Sequence, residues 1–208
     1  MNVFFRAGEL LPNFRIQSIY SALLSVLCFS MFSLSAQTPR RDSGADGSVK
    51  INPPAMLGFR LPQEFWSHEF TVYENNRFSK QTLAQYRGKP LILDFWATWC
   101  TSCVRNFPKL DHFKKTYGDS VNFLLVNSFD RDTAKIAAVF TDDKFKNYRT
   151  NIPTIVWDDY LKELFPHQAV PIYIWIDDYG YLAAISTADF VNDNQIKVLL
   201  DRMKGGKQ

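Results

Sequence analysis

The stretch LILDFWATWCTSC, Leu91 to Cys103, constrains this chain more than any other. Leu91–Trp96 is a continuous apolar run interrupted by a single carboxylate, Asp94, the pattern of a strand buried on both faces. Immediately beyond it, Val104, Phe107, Leu110 and Phe113 recur at helical spacing as far as Gly118, which predicts a helix from Cys100 to about Tyr117. A fully buried strand that feeds directly into a helix belongs to an α/β sheet with helices on both faces. Two of the chain's three cysteines, Cys100 and Cys103, stand at that junction.

The segments around this unit repeat the theme. EFTVYEN alternates as a short strand, and VNFLLVN and IPTIVWD read as buried strands. DTAKIAAVFTDDKFKNY opens on an aspartate cap and continues as a helix, and DYLKELF makes a shorter one. PIYIWIDDYGYLAAIS predicts a hairpin turning at Asp178-Tyr179-Gly180, and NDNQIKVLLDRM a closing helix. Strands alternating with helices imply βαβ units. Trp66, Trp157 and Trp175 are assigned to the core.

Spacing alone allows Cys100 and Cys103 three roles. Haem attachment wants histidine directly after the second cysteine, where Val104 stands. Structural zinc wants four ligands from paired clusters, but His68, His112 and His167 are widely scattered and the other cysteine, Cys28, lies in the N-terminal segment. A structural disulfide closing so small a loop constrains the unfolded chain little. A dithiol that cycles is what remains. The thiolate is the attacking species, and a helix N-terminus lowers its pKa through free N–H groups and the helix dipole. Cys100, at the outer end, is therefore expected to attack a disulfide, and Cys103, one turn inward, to resolve the mixed disulfide. Asp94 is expected to point beneath the cysteine-bearing helix with a raised pKa, as a proton acceptor for Cys103; the alternative is a carboxylate surfacing at a strand edge.

The N-terminus bears on redox compartment. From Ile16 to Ala36 there is no charged residue, and Arg6 and Arg15 supply a positive flank. This is the layout of a secretory signal cut near Ser35 or Ala36, or of an uncleaved N-terminal membrane anchor. Residues 1–36 are assigned to that segment, 37–60 to a flexible Gly-, Ser- and Pro-rich lead-in, and 61–208 to one domain. The net charge is only +3, with Lys and Arg scattered among acids, which argues against a nucleic-acid partner.

DFWATWCTSC resembles the active-site segment of the thioredoxin superfamily, and Pro108, five residues past Cys103, matches that family's helix-kinking proline. VPIYIWIDDYG resembles its second hallmark, a cis-proline opening a strand that ends in a D-x-x-G turn. The resemblance makes Pro171 the cis-proline facing the cysteines, in preference to Pro153, and Val170 the residue whose backbone pairs with an extended substrate. Trp99, Thr101 and Ser102 would complete the substrate surface. TLAQYRGKPLILDFW is similar to the lead-in of secreted TlpA/ResA-like thiol–disulfide oxidoreductases, and LFPHQAVP with YIWID looks most like Bacteroidetes members. That branch implies a thioredoxin-like α/β fold: a central mixed β-sheet flanked by helices, with an inserted helix and strand before the cis-proline. It further implies an exported, periplasmic reductase without cofactor or metal, acting on protein disulfides and recharged by a membrane thiol–disulfide electron donor. A thiol oxidase, a thiol peroxidase and a redox-inert peptide-binding module are the alternatives. Thr101-Ser102 departs from the family's common intervening dipeptides, which bears on redox potential. His167, close before Pro171, reads as a satisfied loop histidine rather than a tuner of the thiolate.

Overall fold

β3 (Leu91–Phe95) is the axis of the molecule: all five of its residues are buried. A computed structural model describes residues 54–205. The expected signal segment and most of the lead-in lie outside the described residues. No helix among the described residues is long and apolar enough to cross a membrane.

Before β3 come α1 (Gln63–Ser67), β1 (Phe70–Glu74) and β2 (Arg77–Gln81). After it follow α2 (Thr101–Tyr117), β4 (Asn122–Asn127), α3 (Thr133–Thr141), β5 (Thr154–Val156), α4 (Tyr160–Leu164), β6 (Ile172–Ile176), β7 (Leu182–Ser186) and α5 (Asp193–Gly205). The strands form one seven-stranded mixed sheet in the order β2-β1-β5-β4-β3-β6-β7. β3, β4 and β5 run parallel, and β1, β6 and β7 pair antiparallel to their neighbours. This is the expected thioredoxin-like fold, and α3 and β5 supply the helix and strand expected before Pro171, which directly precedes β6.

Side-chain alternation splits the core into two layers. Ile92 from β3, Trp96 just past its end, Leu125 from β4 and Tyr173 and Trp175 from β6 meet Val104, Phe107 and Leu110 of α2 and Ile196 of α5. Leu91, Leu93 and Phe95 point the other way, onto Phe65 and Trp66 of α1 and Leu161 and Leu164 of α4. Each such side chain contributes about 1.5–3 kcal/mol on full burial, so β3 is anchored from both sides. By the same alternation Asp94 shares the α2 face with Ile92 and Trp96.

Local chemistry sets the element ends. Asp132 accepts hydrogen bonds from Ala134 N and Lys135 N at 3.0 and 3.2 Å, capping α3. The expected single helix over 132–148 is two: α3 ends at Asp142, whose carboxylate accepts from Lys144 N at 3.0 Å and starts a separate 3-10 turn, Asp143–Tyr148. β2 and α1 carry no apolar run or period long enough to announce them; β2 is held by a two-residue turn in which Asn75 and Asn76 both take positive φ, as hairpins of this kind require. In the β6–β7 turn, Asp177 Oδ1 accepts from Tyr179 N and Tyr181 N. Gly180 has φ +84, and a Cβ there would lie 3.3 Å from the Trp66 ring.

Residues 55–61, part of which the sequence assigns to the lead-in, join the domain through backbone hydrogen bonds. Ala55 N donates to Leu164 O, Gly58 N to Leu182 O and Leu61 N to Gly180 O. Trp66 and Trp175 are buried, but Trp157 is 59% exposed. The expectation of a core Trp157 fails because the chain leaves β5 there at φ +57, while Trp157 N still donates to Asn127 O at 3.0 Å. The backbone stays tied to β4 and the indole is turned outward.

One polar bond crosses the α2-side core: Trp96 Nε1 donates to Thr154 Oγ1 of β5 at 3.0 Å, with both residues fully buried. Thr154→Val should leave that indole N–H unpaired and lower unfolding free energy by about 1–3 kcal/mol. Thr154→Ser should lose less. Urea unfolding of the two variants measures the difference, and equal stabilities would show that the bond contributes nothing.

Candidate active site

The C-terminal end of β3 delivers the chain into α2 through Trp96, Ala97, Thr98 and Trp99. Trp96 and Ala97 are fully buried, and Trp96 N donates to Val126 O at 2.9 Å, so the sheet pairing persists past the strand. Thr98 is held by Asp130 of the loop after β4: its N donates to Oδ2 at 2.8 Å and its Oγ1 to Oδ1 at 2.7 Å. Asn127 fixes the carboxylate in turn, donating from Nδ2 to Asp130 Oδ2 and accepting from Asp130 N at 2.9 Å. Sequence reading missed this clamp; the polar run NSFDRD after a buried strand was its only signal.

Cys100 is the N-cap of α2 and is disulfide-bonded to Cys103 in the first turn. The Cys103 N–H donates to Cys100 Sγ at 3.2 Å, the contact that would stabilise a thiolate once the pair is reduced. Ser102 Oγ lies 3.4 Å from the same sulfur. Cys100 retains 5% exposure and Cys103 none. Cys100 is thus more enclosed than a sequence-based exposed position suggests, although it remains the outer of the two. Thr101 and Ser102 are exposed beside it, and Trp99 is 63% exposed. Pro108 lies inside α2, where it removes one backbone donor from the helix.

The loop before β6 closes the other side. Val170–Pro171 is the one cis peptide bond among the described residues, and Val170 O lies 3.7 Å from Cys100 Sγ. Pro153 is not cis. The structure therefore brings Cys100, Cys103, Ser102, Val170 and Pro171 together at one end of the sheet.

His167 sits in the same loop, between the rings of Phe95 at 4.6 Å and Phe129 at 5.3 Å. Its Nδ1 bonds Phe165 O at 2.7 Å, while the buried Nε2 has no partner. It is half satisfied rather than fully so. Burial pushes its pKa down, the bond to Phe165 opposes this and the Lys162 charge adds to it. Phe129 extends the apolar wall, edge-on to Trp99 at 5.8 Å and beneath the Lys162 ammonium at 4.5 Å.

Asp94 is 1% exposed and lies under α2, not at a sheet edge. Neither carboxylate oxygen completes a hydrogen bond. The Tyr173 hydroxyl, on the residue directly opposite across the β3–β6 ladder, acts on the carboxyl without the alignment of a closed bond. Burial pushes the Asp94 carboxyl well above the usual carboxylate range, and Tyr173 pulls it back down. A carboxyl with no charged neighbour in a water-poor layer holds a proton readily and is able to accept one from a thiol packed above it.

Comparison with known proteins agrees with this geometry. The chain is 50% identical over 80 residues to the thiol:disulfide interchange protein TxlA homolog of Synechocystis sp., a match covering 38% of this chain and 43% of that protein. This chain therefore spans less than half of that relative's length. It is 24% identical over 138 residues to the thiol-disulfide oxidoreductase ResA of Bacillus subtilis, covering 65% and 73% of the two chains. In fold it resembles the thioredoxin domain of a thiol-disulfide oxidoreductase from Bacteroides vulgatus, with TM-score 0.53 and 19% identity over 69% of this chain and 98% of that one. It also resembles a 2-Cys peroxiredoxin from Plasmodium vivax, with TM-score 0.55 and 16% identity over 73% and 98%. The Redoxin family profile matches residues 68–198, well over half of the sequence, and the chain, thioredoxin-like in fold, belongs to the Redoxin family.

Proposed function

We propose that the protein is an exported reductase of protein disulfides that cycles through Cys100 and Cys103. The observation that carries this reading is the sulfur pair at the N-terminus of α2, with Cys100 Sγ against the Val170 carbonyl at the edge of a surface bearing Trp99. An extended peptide laid along Val170 presents its own sulfur to Cys100 and to nothing deeper.

The step balances as follows. The Cys100 thiolate attacks one sulfur of the substrate disulfide; a Cys100–substrate disulfide forms and the other substrate sulfur leaves as a thiolate. Cys103 gives its proton to Asp94 and attacks Cys100 Sγ. The second substrate thiolate leaves, and the Cys100–Cys103 disulfide forms. Two electrons pass from the pair to the substrate, and a dithiol donor returns them. In the proposal that donor is a membrane thiol–disulfide partner. The peroxiredoxin likeness is one of fold alone and does not favour peroxide as the oxidant.

Purified domain should speed dithiothreitol-driven insulin reduction, and Cys103→Ser should trap covalent partners through Cys100 whereas Cys100→Ser traps none. Equal trapping by both variants would refute the division of labour, and a domain without effect on insulin would favour a redox-inert binding module.

Asp94 connects catalysis to stability. Its native carboxyl keeps a proton to higher pH than the unfolded chain does. It therefore leaves stability untouched below the unfolded value of about 3.9 and subtracts from it as pH rises toward the native value. Asp94→Asn should be more stable than wild type at neutral pH, with the gap closing in acid. The same variant should slow release of the mixed disulfide by on the order of 100-fold. Urea unfolding in acid and at neutral pH checks the first effect, stopped-flow turnover the second; unchanged release would remove Asp94 from the mechanism.

Export rests on the apolar segment from Ile16 to Ala36. Residues 1–60 fused to a leaderless alkaline phosphatase should yield active phosphatase in a bacterial host. An inactive, cytoplasmic fusion would overturn export.

A further inference from the structure

Among the apolar side chains on the α2 face of the sheet, two polar groups meet where nothing in the packing requires them. Asp94 of β3 and Tyr173 of β6 are directly opposite in an antiparallel ladder, so their side chains leave the same face side by side. Each is 1% exposed. Leu125 faces Asp94 from β4, Ser186 pairs with Tyr173 from β7, and Cys103, Val104 and Phe107 lie in the same layer from α2. No charged side chain among the described residues acts on the Asp94 carboxyl, and Tyr173 is the single polar group that does. The Asn106 amide, which stands one turn beyond Cys103 on α2 and is half-buried, acts in turn on the Tyr173 hydroxyl. Asp94 and Tyr173 thus interact side by side on the α2 face, and Asn106 of α2 acts on Tyr173.

We propose that Tyr173 is a positioning residue for the resolving step, holding the Asp94 carboxyl with its hydroxyl and linking it to the rim of α2 through Asn106. The proposal rests on Asp94 being the proton acceptor for Cys103. In this oxidised state the oxygens of the Asp94 carboxyl complete no hydrogen bond. When the carboxylate forms, the Tyr173 O–H closes onto it, while the Asn106 amide donates to the Tyr173 oxygen and keeps the hydroxyl turned inward. The step moves one proton, from Cys103 Sγ to an Asp94 oxygen, and no electrons. The contact is worth more to the charged than to the neutral carboxyl, because a donor to a carboxylate stabilises the ionised form. A phenylalanine at 173 would fill the same space and leave the carboxylate with no donor.

The test is the ionisation of Asp94 itself, read from its protonated carboxyl stretch in infrared difference spectra against Asp94→Asn, in oxidised full-length protein across pH. Tyr173→Phe should move the midpoint to higher pH, and the alkaline rise in the rate of mixed-disulfide release should move with it, several-fold slower at neutral pH. Asn106→Ala, which leaves the apolar layer intact, should shift the midpoint in the same direction and serves as the reading should Tyr173→Phe fail to fold. An unmoved carboxyl midpoint in the folded variant overturns the proposal. A midpoint that moves while the release profile stays fixed upholds the Asp94–Tyr173 contact and overturns instead the assignment of Asp94 as acceptor.

Discussion

The site depends on β3 being buried from both sides. A strand with one wet face would let the loop at its end drift. Here α2 and α5 press on one face while α1 and α4 press on the other, so the point where the chain leaves the sheet is fixed. Trp96 is bonded to Val126 and Thr154, and Thr98 is clamped by Asp130. The helix N-terminus that carries Cys100 therefore starts from a fixed base. The facing loop before β6 is fixed by the same strand, since β6 pairs with β3 along its whole length. Two halves of a site that are distant in sequence share one hydrogen-bonded ladder.

That rigidity explains how a carboxyl survives in the core. Asp94 lies where an apolar residue would stabilise the domain more, since an unpartnered buried carboxyl is unfavourable. The surrounding layers supply the surplus that tolerates it. Burial is also what would suit the group to the proposed proton transfer, because a solvated aspartate, ionising at about 3.9, takes a proton from a thiol less readily.

Much of this was legible in the chain. The apolar run through Phe95, the helical period from Val104 and the Cys100–Cys103 spacing specify a strand, a helix and a redox pair at their junction. Asp94 is visible as the lone acid in an apolar strand, and Pro171 through its resemblance to a family hallmark. What escaped had a common cause: contacts made between segments far apart in sequence. Asp130 looks like any loop acid until Thr98 is placed beside it. Tyr173 counts as one more apolar strand residue until β6 is set opposite β3 in register. Trp157 belongs to the core by composition, and only its left-handed backbone turns it out. β2 has five residues and almost no buried side chain, so periodicity has nothing to register, and its presence follows from the Asn75-Asn76 turn.

The two edges of the sheet are not alike. β2, at one end, is a short exposed strand carrying Arg77 and Lys80, and charges of that kind discourage a second strand from adding to it. β7, at the other end, reads Leu-Ala-Ala-Ile-Ser, without a charge, and Ile185 is 44% exposed. Its first residue is already engaged by the incoming chain, through Gly58 N to Leu182 O and Leu182 N to Phe59 O. The residues just ahead of the domain therefore act as a selvedge, closing the start of an edge that would otherwise offer its full length to a neighbouring molecule in concentrated solution.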